Sequence, residues 1–277
     1  MKLTSTSRIA NITVTACCLL SHLSGMDAFA NNDRAGFLSP ATATRSIGEM
    51  PIATQLCASS SGIVEGIGDE GCNLPSVSGW NTKDDLTQAF VVKVVFLSLG
   101  AGTYLFSSGL HELSSLMGSN FDFFRSTWPL ALGAVFSLAG VTHFTLSEEY
   151  ENIVPTKGAW GVWNIPGSKK FHVAWTGVAE LAGGLGLLGG GLSNIFGDST
   201  LAPLTSAGLE SDAAAALFLL TLAVTPANIF MYTHGAKLPM DSDPLPLNFH
   251  AIRWAMQVIL LGFLYQMGEG TFQILFS

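Results

Sequence analysis

From Phe171 to Gly191 the chain reads FHVAWTGVAELAGGLGLLGGG, an apolar stretch with one carboxylate, Glu180, near its middle. A helix rises about 1.5 Å per residue and the hydrocarbon core of a bilayer is about 30 Å thick, so a stretch of this length spans it with Glu180 near mid-depth. An ionisable group there costs roughly 2.5 to 3.5 kcal/mol even on insertion scales. Glu180 must therefore be neutral or face a partner inside the protein, which makes finding that partner the main problem this sequence poses.

Four more apolar stretches have spanning length, giving expected spans at about Leu86 to Leu110, Thr127 to Leu146, Phe171 to Gly191, Ala213 to Tyr232 and His250 to Met267. Charged residues make up 12% of the 277, against about a quarter in a soluble domain, so the expected fold is all-α: a polytopic membrane helix bundle. A net charge of -8 with scattered Lys and Arg excludes a nucleic-acid partner, because no basic stripe exists to neutralise phosphates. Membrane lipid is the expected contact.

The front of the chain divides into three parts. Residues 1–30 read as a signal peptide, with Lys2 and Arg8 before an apolar run and then Ala28-Phe29-Ala30. Residues 31–61 form a Ser/Thr-rich, transit-peptide-like segment without hydrophobic period, and residues 62–85 a polar stretch ahead of the membrane domain, 86–277. A Phe directly after the signal cleavage point resembles the bipartite plastid-targeting presequence of algae with secondary plastids. That resemblance implies a plastid envelope or thylakoid membrane, the alternative being the secretory pathway or plasma membrane. Cys17 and Cys18 fall in the removable part and Cys57 and Cys72 precede the spans, so no thiol pair is expected inside the membrane.

Loop charges orient the spans. Lys83, Lys157, Lys169, Lys170 and Lys237 fall on the side of the mature N-terminus and Arg125 on the other, so the first side is cytoplasm-like, the stroma for a plastid protein. With alternating helices, the polar residues then converge on that leaflet. His143 ends the second span, His172 and Glu180 lie on the third, Asn228 and Tyr232 on the fourth, and Arg253 and Gln257 on the fifth. The opposite half reads as nearly all apolar.

Arg253 is the expected partner of Glu180, because its planar fork can reach a carboxylate from a shallower depth, with Gln257 one turn deeper for the remaining oxygen. The pair reads either as helix glue or as a proton-accepting or ligand-binding site. His143, His172 and His250 lack the spacing that puts two ligands on one helix face, so no metal site is expected. Gly186 and Gly190 stand in G-x-x-x-G relation, which makes the third span the expected central packing helix. Trp160, Trp163, Phe121, Phe123 and Phe124 are expected in an interfacial belt, the Glu148, Glu149 and Glu151 cluster in a solvated loop, and Pro129 in the first turn of its span.

Gly140-Val141-Thr142-His143-Phe144, GAWGVWNIPGS, FHVAWTGVAELAGGLGLL, Thr225-Pro226-Ala227-Asn228 and Arg253 with Gln257 together resemble the DoxX-like membrane family over about Trp128 to Tyr265. The resemblance implies a four-helix core, here spans two to five, with one added helix before it. It also implies membrane redox systems, including quinone reduction, and recurrent polar positions matching His143, Glu180, Asn228, Arg253 and Gln257. The expectation is an accessory component of a quinone-linked process and not a stand-alone enzyme. In it His143 or Gln257 would bond a quinone carbonyl, Glu180 would exchange the proton, and no cofactor would be covalently bound. Redox-complex subunits are the expected partners. The alternatives are a structural subunit of a membrane complex and a small-molecule or proton transporter gated at Pro226.

Overall fold

The computed structural model of the chain describes residues 76–196, 208–236 and 245–277. The signal-like and transit-like segments, Cys57, Cys72 and most of the polar stretch before the spans lie outside the described residues, as does Lys237. Within them run α1 (Asp85–Met117), α2 (Ser119–Thr145), the short α3 (Ser147–Glu151), α4 (Lys169–Phe196), α5 (Leu209–His234) and α6 (Leu247–Phe276), with no strand among the described residues. All but α3 are long and apolar enough to cross a membrane. This is the expected all-α bundle, with the architecture of a multi-pass membrane protein whose outer faces meet lipid.

Several helices outrun their apolar stretches. Asp84 starts α1 as its N-cap: the Thr87 amide donates to Oδ1 at 2.9 Å and the Thr87 hydroxyl to Oδ2 at 2.7 Å. These bonds, the hydroxyl's first, hold the Asp84 carboxyl below the usual carboxylate range. At the other end α1 continues through His111-Glu112 to Met117 and stops at Gly118, whose φ of 54° favours glycine. That one residue is the whole connection to α2. Consequently α2 starts at Ser119 and not near Thr127, and Pro129 lies in its interior, where the ring removes the amide that would bond the Arg125 carbonyl. Hydropathy registers where apolar residues stop, whereas polar residues of good helix propensity carry a helix onward.

The α2–α4 seam is made by missing side chains. A Cβ at Gly140 would lie 2.6 Å from the Leu181 amide nitrogen, and one at Gly184 would lie 2.5 Å from that of Ser137. Gly133 likewise abuts the Gly184 carbonyl, so the two backbones touch along two turns. Gly186 and Gly190 face the other way, toward Ala213 and Glu210 of α5. Although α4 is thus packed on both sides, the central helix is α5. In its most apolar window 61% of residues are buried, against 39% for α4 and 22% for α1. Four consecutive alanines, Ala213 to Ala216, explain it: α5 is small on every face there and can be surrounded, whereas α4 is small only along two stripes. On the far side of the bundle α1 rests on α6, with Gly102 against Val258, Phe106 against Gly262 and the Trp254 indole donating to Ser98 Oγ at 3.0 Å.

The aromatic belt divides. Phe123 and Phe124 are exposed, as expected, but Phe121 packs edge-on to Trp128 and is buried. Trp160 is also buried: its indole donates to Thr233 Oγ1 at 2.9 Å and its ring meets Phe230 and His234. It stands at φ 55°, flanked by Gly158 and Gly161. The loop folds inward because a half-polar ring whose N–H finds an acceptor gains more in the core than at an interface. The acidic cluster is likewise no plain loop: it forms α3, which buries Tyr150 while Glu148 remains exposed.

Candidate functional site

The five residues singled out from the sequence do gather toward the side where α1 begins, but they line two cavities and not one. Cavity A, about 80 Å³, is lined by His143, Tyr150, His172, Thr176 and Glu180, with Val154, Pro155 and Trp163 from the loop after α3. Cavity B, about 570 Å³, is lined by Asn228, Tyr232, His250, Arg253 and Gln257 among mostly apolar walls from α1, α5 and α6. Helix α5 separates them. It turns Ala223, Val224 and Ala227 toward A and Thr225, Asn228, Ile229 and Tyr232 toward B. At about 100° per residue these two sets point roughly 140° apart.

In cavity A the glycine seam sets the geometry. Gly177 leaves no room for a side chain, since a Cβ there would lie 2.5 Å from that of His143, and this brings His143 beside Glu180 one turn further along α4. His143 Nδ1 lies 3.0 Å from Glu180 Oε2, and the ring leans on Tyr150 at a centroid distance of 4.4 Å. The His–Glu approach is an electrostatic contact without the alignment of a hydrogen bond, and Glu180 Oε1 accepts no hydrogen bond among the described residues. Glu180 is only 1% exposed, so its charge state matters energetically. The Trp175 indole donates to His172 Nδ1 at 3.2 Å, which leaves a hydrogen to Nε2 in the neutral ring.

Arg253, the expected partner of Glu180, instead meets Asn228 Oδ1 and lies 3.8 Å from Met231 Sδ. Asn228 in turn donates to Gln257 Oε1 at 3.2 Å, and Gln257 donates to Thr225 Oγ1 at 2.7 Å. This chain ties α6 to α5 beside Pro226, through which α5 runs unbroken. A charge at the polar end of the network is thereby held by dipoles from two helices and faces the apolar volume of cavity B. The indole of Trp80, ahead of α1, donates to Tyr232 OH at 2.9 Å and closes one end of that cavity.

Two polar features escaped the reading by depth. Asp212 is buried near the start of α5, accepting from Thr271 Oγ1 at 2.7 Å, so the opposite half of the bundle is not wholly apolar. It sits one residue outside the span expected from Ala213, and its signal was an acid in a helix's first turn, which ordinarily marks a solvated end. A third cavity of about 670 Å³, between α1 and α6, contains Thr103, Ser107 and Gln266. Its lining includes Thr103-Tyr104, Ser107-Ser108 and His111-Glu112, pairs at four-residue spacing along α1, with Gln266 and Glu269 from α6: a polar stripe of helical period that the reading by depth passed over.

The described residues contain no group of three or more His, Cys, Asp or Glu that could hold a metal. Cavity B combines hydrogen-bond donors and acceptors at one end with apolar walls, the arrangement that suits a lipophilic molecule with a polar head. Cavity A can hold water and a proton. No family model matches the chain, and neither the curated proteins nor the solved structures include a match.

Proposed function

We propose that the chain is a DoxX-like membrane protein of a plastid membrane that serves as an accessory component of a quinone-linked redox process, holding a quinone-like lipid in cavity B. The observation that carries this reading is the junction of Arg253, Asn228 and Gln257 with a largely apolar cavity of about 570 Å³. A quinone needs both halves: carbonyl oxygens that accept hydrogen bonds, which the Arg253 guanidinium can donate while Gln257, donating to Thr225 and Thr221, holds the network in place, and apolar walls for the ring and tail. Bound there, it would supply the capacity to take up electrons and protons, while the protein orients it and excludes water. The plastid assignment is supported by the Ala28-Phe29-Ala30 motif.

The assembly-subunit reading relied on free glycine faces, and those of α4 are already used against α2 and α5. The transporter reading needed Pro226 as a gate in a helix that is continuous. The test is purification of the full chain from its native membrane in mild detergent, with mass spectrometry of the retained lipids and proteins. Quinone enriched over bulk lipid, retained in Glu180→Gln and lost in Gln257→Leu, supports the proposal. No enrichment, or enrichment indifferent to Gln257→Leu, refutes it.

A further inference from the structure

The geometry points to cavity A as a proton-binding site with its own access to water, separate from cavity B. The inference stands whether or not a quinone occupies B. Glu180 is 1% exposed and neither of its carboxylate oxygens accepts a hydrogen bond among the described residues, while the residue borders a cavity of about 80 Å³. One water needs about 10 to 15 Å³ of such volume and two to four polar partners; the walls of this cavity are mostly apolar, and His143, Tyr150, His172, Thr176 and Glu180 supply the partners. An ionised carboxylate with an unsatisfied oxygen binds such water strongly, because the alternative is a buried charge without solvation.

The cavity also leads somewhere. Glu180 lies eleven residues after the start of α4, about 16 Å along its axis, and the same cavity is bordered by Val154, Pro155 and Trp163 of the loop that precedes α4. Water can therefore approach the carboxylate from the Lys169-Lys170 end without crossing α5. Three titratable groups line the cavity with Glu180: His143 from α2, beside it, Tyr150 from α3, and His172 about 12 Å nearer the start of α4. The α5 side contributes only Ala223, Val224 and Ala227. With His143 Nδ1 3.0 Å from Oε2, a proton arriving at Oε1 has a neighbouring base within one carboxylate's width.

The step moves one proton and no electron. Hydronium at the inner end of the water file gives its proton to Oε1, an O–H bond forms on the carboxylate, one O–H bond of hydronium breaks, and water is left. The reverse step returns the proton to the same side. Nothing on the α5 face can pass it onward, so the site is a one-sided reservoir and not a channel.

The test is infrared difference spectroscopy of the full chain in lipid nanodiscs, following the protonated-carboxyl C=O band as the medium is changed in pH or from H2O to D2O. The expected result is a band that responds to the medium, is missing in Glu180→Gln, and responds at least tenfold more slowly in Ala227→Leu, whose added bulk enters the cavity from a partly buried position while leaving every titratable group in place. If Glu180→Gln does not fold, Glu180→Asp assigns the band by a frequency shift. A band absent or unchanged at every pH, or one that responds equally fast in Ala227→Leu, overturns the inference.

Discussion

Replacing Gly140 by Ala should destabilise the protein, while the same change at Gly189 should stabilise it. At Gly140 the new methyl would lie 2.6 Å from the Leu181 amide nitrogen, 2.9 Å from the Gly177 carbonyl oxygen and 3.0 Å from the Leu181 Cα. All three are backbone atoms, so no rotamer change relieves them. The helices must part by about 0.8 Å to restore ordinary contact, and overpacking of this kind costs about 1 to 3 kcal/mol. Against it stands about 1 kcal/mol from the better helix propensity of Ala. At Gly189 the nearest atom is Leu209 Cδ2 at 3.7 Å, an ordinary contact, so the propensity gain survives alone. The two variants should differ by about 1 to 3 kcal/mol, or roughly 2 to 12 °C in thermal midpoint for a chain of this size. The assay is thermal unfolding of the full chain in detergent, read as the fraction remaining monodisperse. Equal midpoints for Gly140→Ala and Gly189→Ala would refute the backbone-contact account of the α2–α4 seam.

Three further outcomes are expected. Trp160→Ala removes a buried ring and its bond to Thr233, and should cost about 3 to 5 kcal/mol in the same thermal assay, whereas an interfacial anchor would cost far less. Asn228→Leu deprives the buried Arg253 of its Oδ1 contact and should cost about 1.5 to 3 kcal/mol, with a milder loss in Asn228→Asp; equal effects would mean that Asn228 acts by shape alone. The Asp84 carboxyl titrates below its unfolded value, so its capping contribution is complete above that value and is lost as pH falls through the folded one. The protection of the Thr87 amide, its exchange rate measured against the intrinsic rate at the same pH, should therefore fall in acid in the native chain and be low at every pH in Asp84→Ala.

Depth was legible in part and azimuth was not. Five spans, their order and the end of the bundle where His143, Asn228, Arg253 and Gln257 gather follow from hydropathy, because it varies along the chain, although Asp212 and the polar lining of the third cavity lie toward the other end. Which way Glu180 and Arg253 point depends on how α4 and α6 sit around α5, and no pattern within either helix states that. Hence the two were expected together, whereas the structure sets Glu180 beside His143 and Arg253 beside Asn228. The glycines show the same limit. Their abundance announced close packing, but G-x-x-x-G spacing drew attention to Gly186 and Gly190, while the tightest seam uses Gly133 with Gly140 and Gly177 with Gly184, seven residues apart on each helix. Trp160 was misjudged because amphipathic rings are common at membrane surfaces, and only the neighbouring Thr233 hydroxyl makes burial the better place for this one.

Because α5 borders both cavities, their walls share one backbone. A molecule that displaced the helix from cavity B would also reshape the space around Glu180, and any such coupling would be reciprocal, whereas a change that leaves α5 in place, such as Glu180→Gln, leaves B as it is. Such reciprocity needs no contact between the sites and no path of side chains. It also restricts how the chain can diverge, since enlarging a residue at Ala223 or Ala227 to refit one cavity shifts the wall of the other.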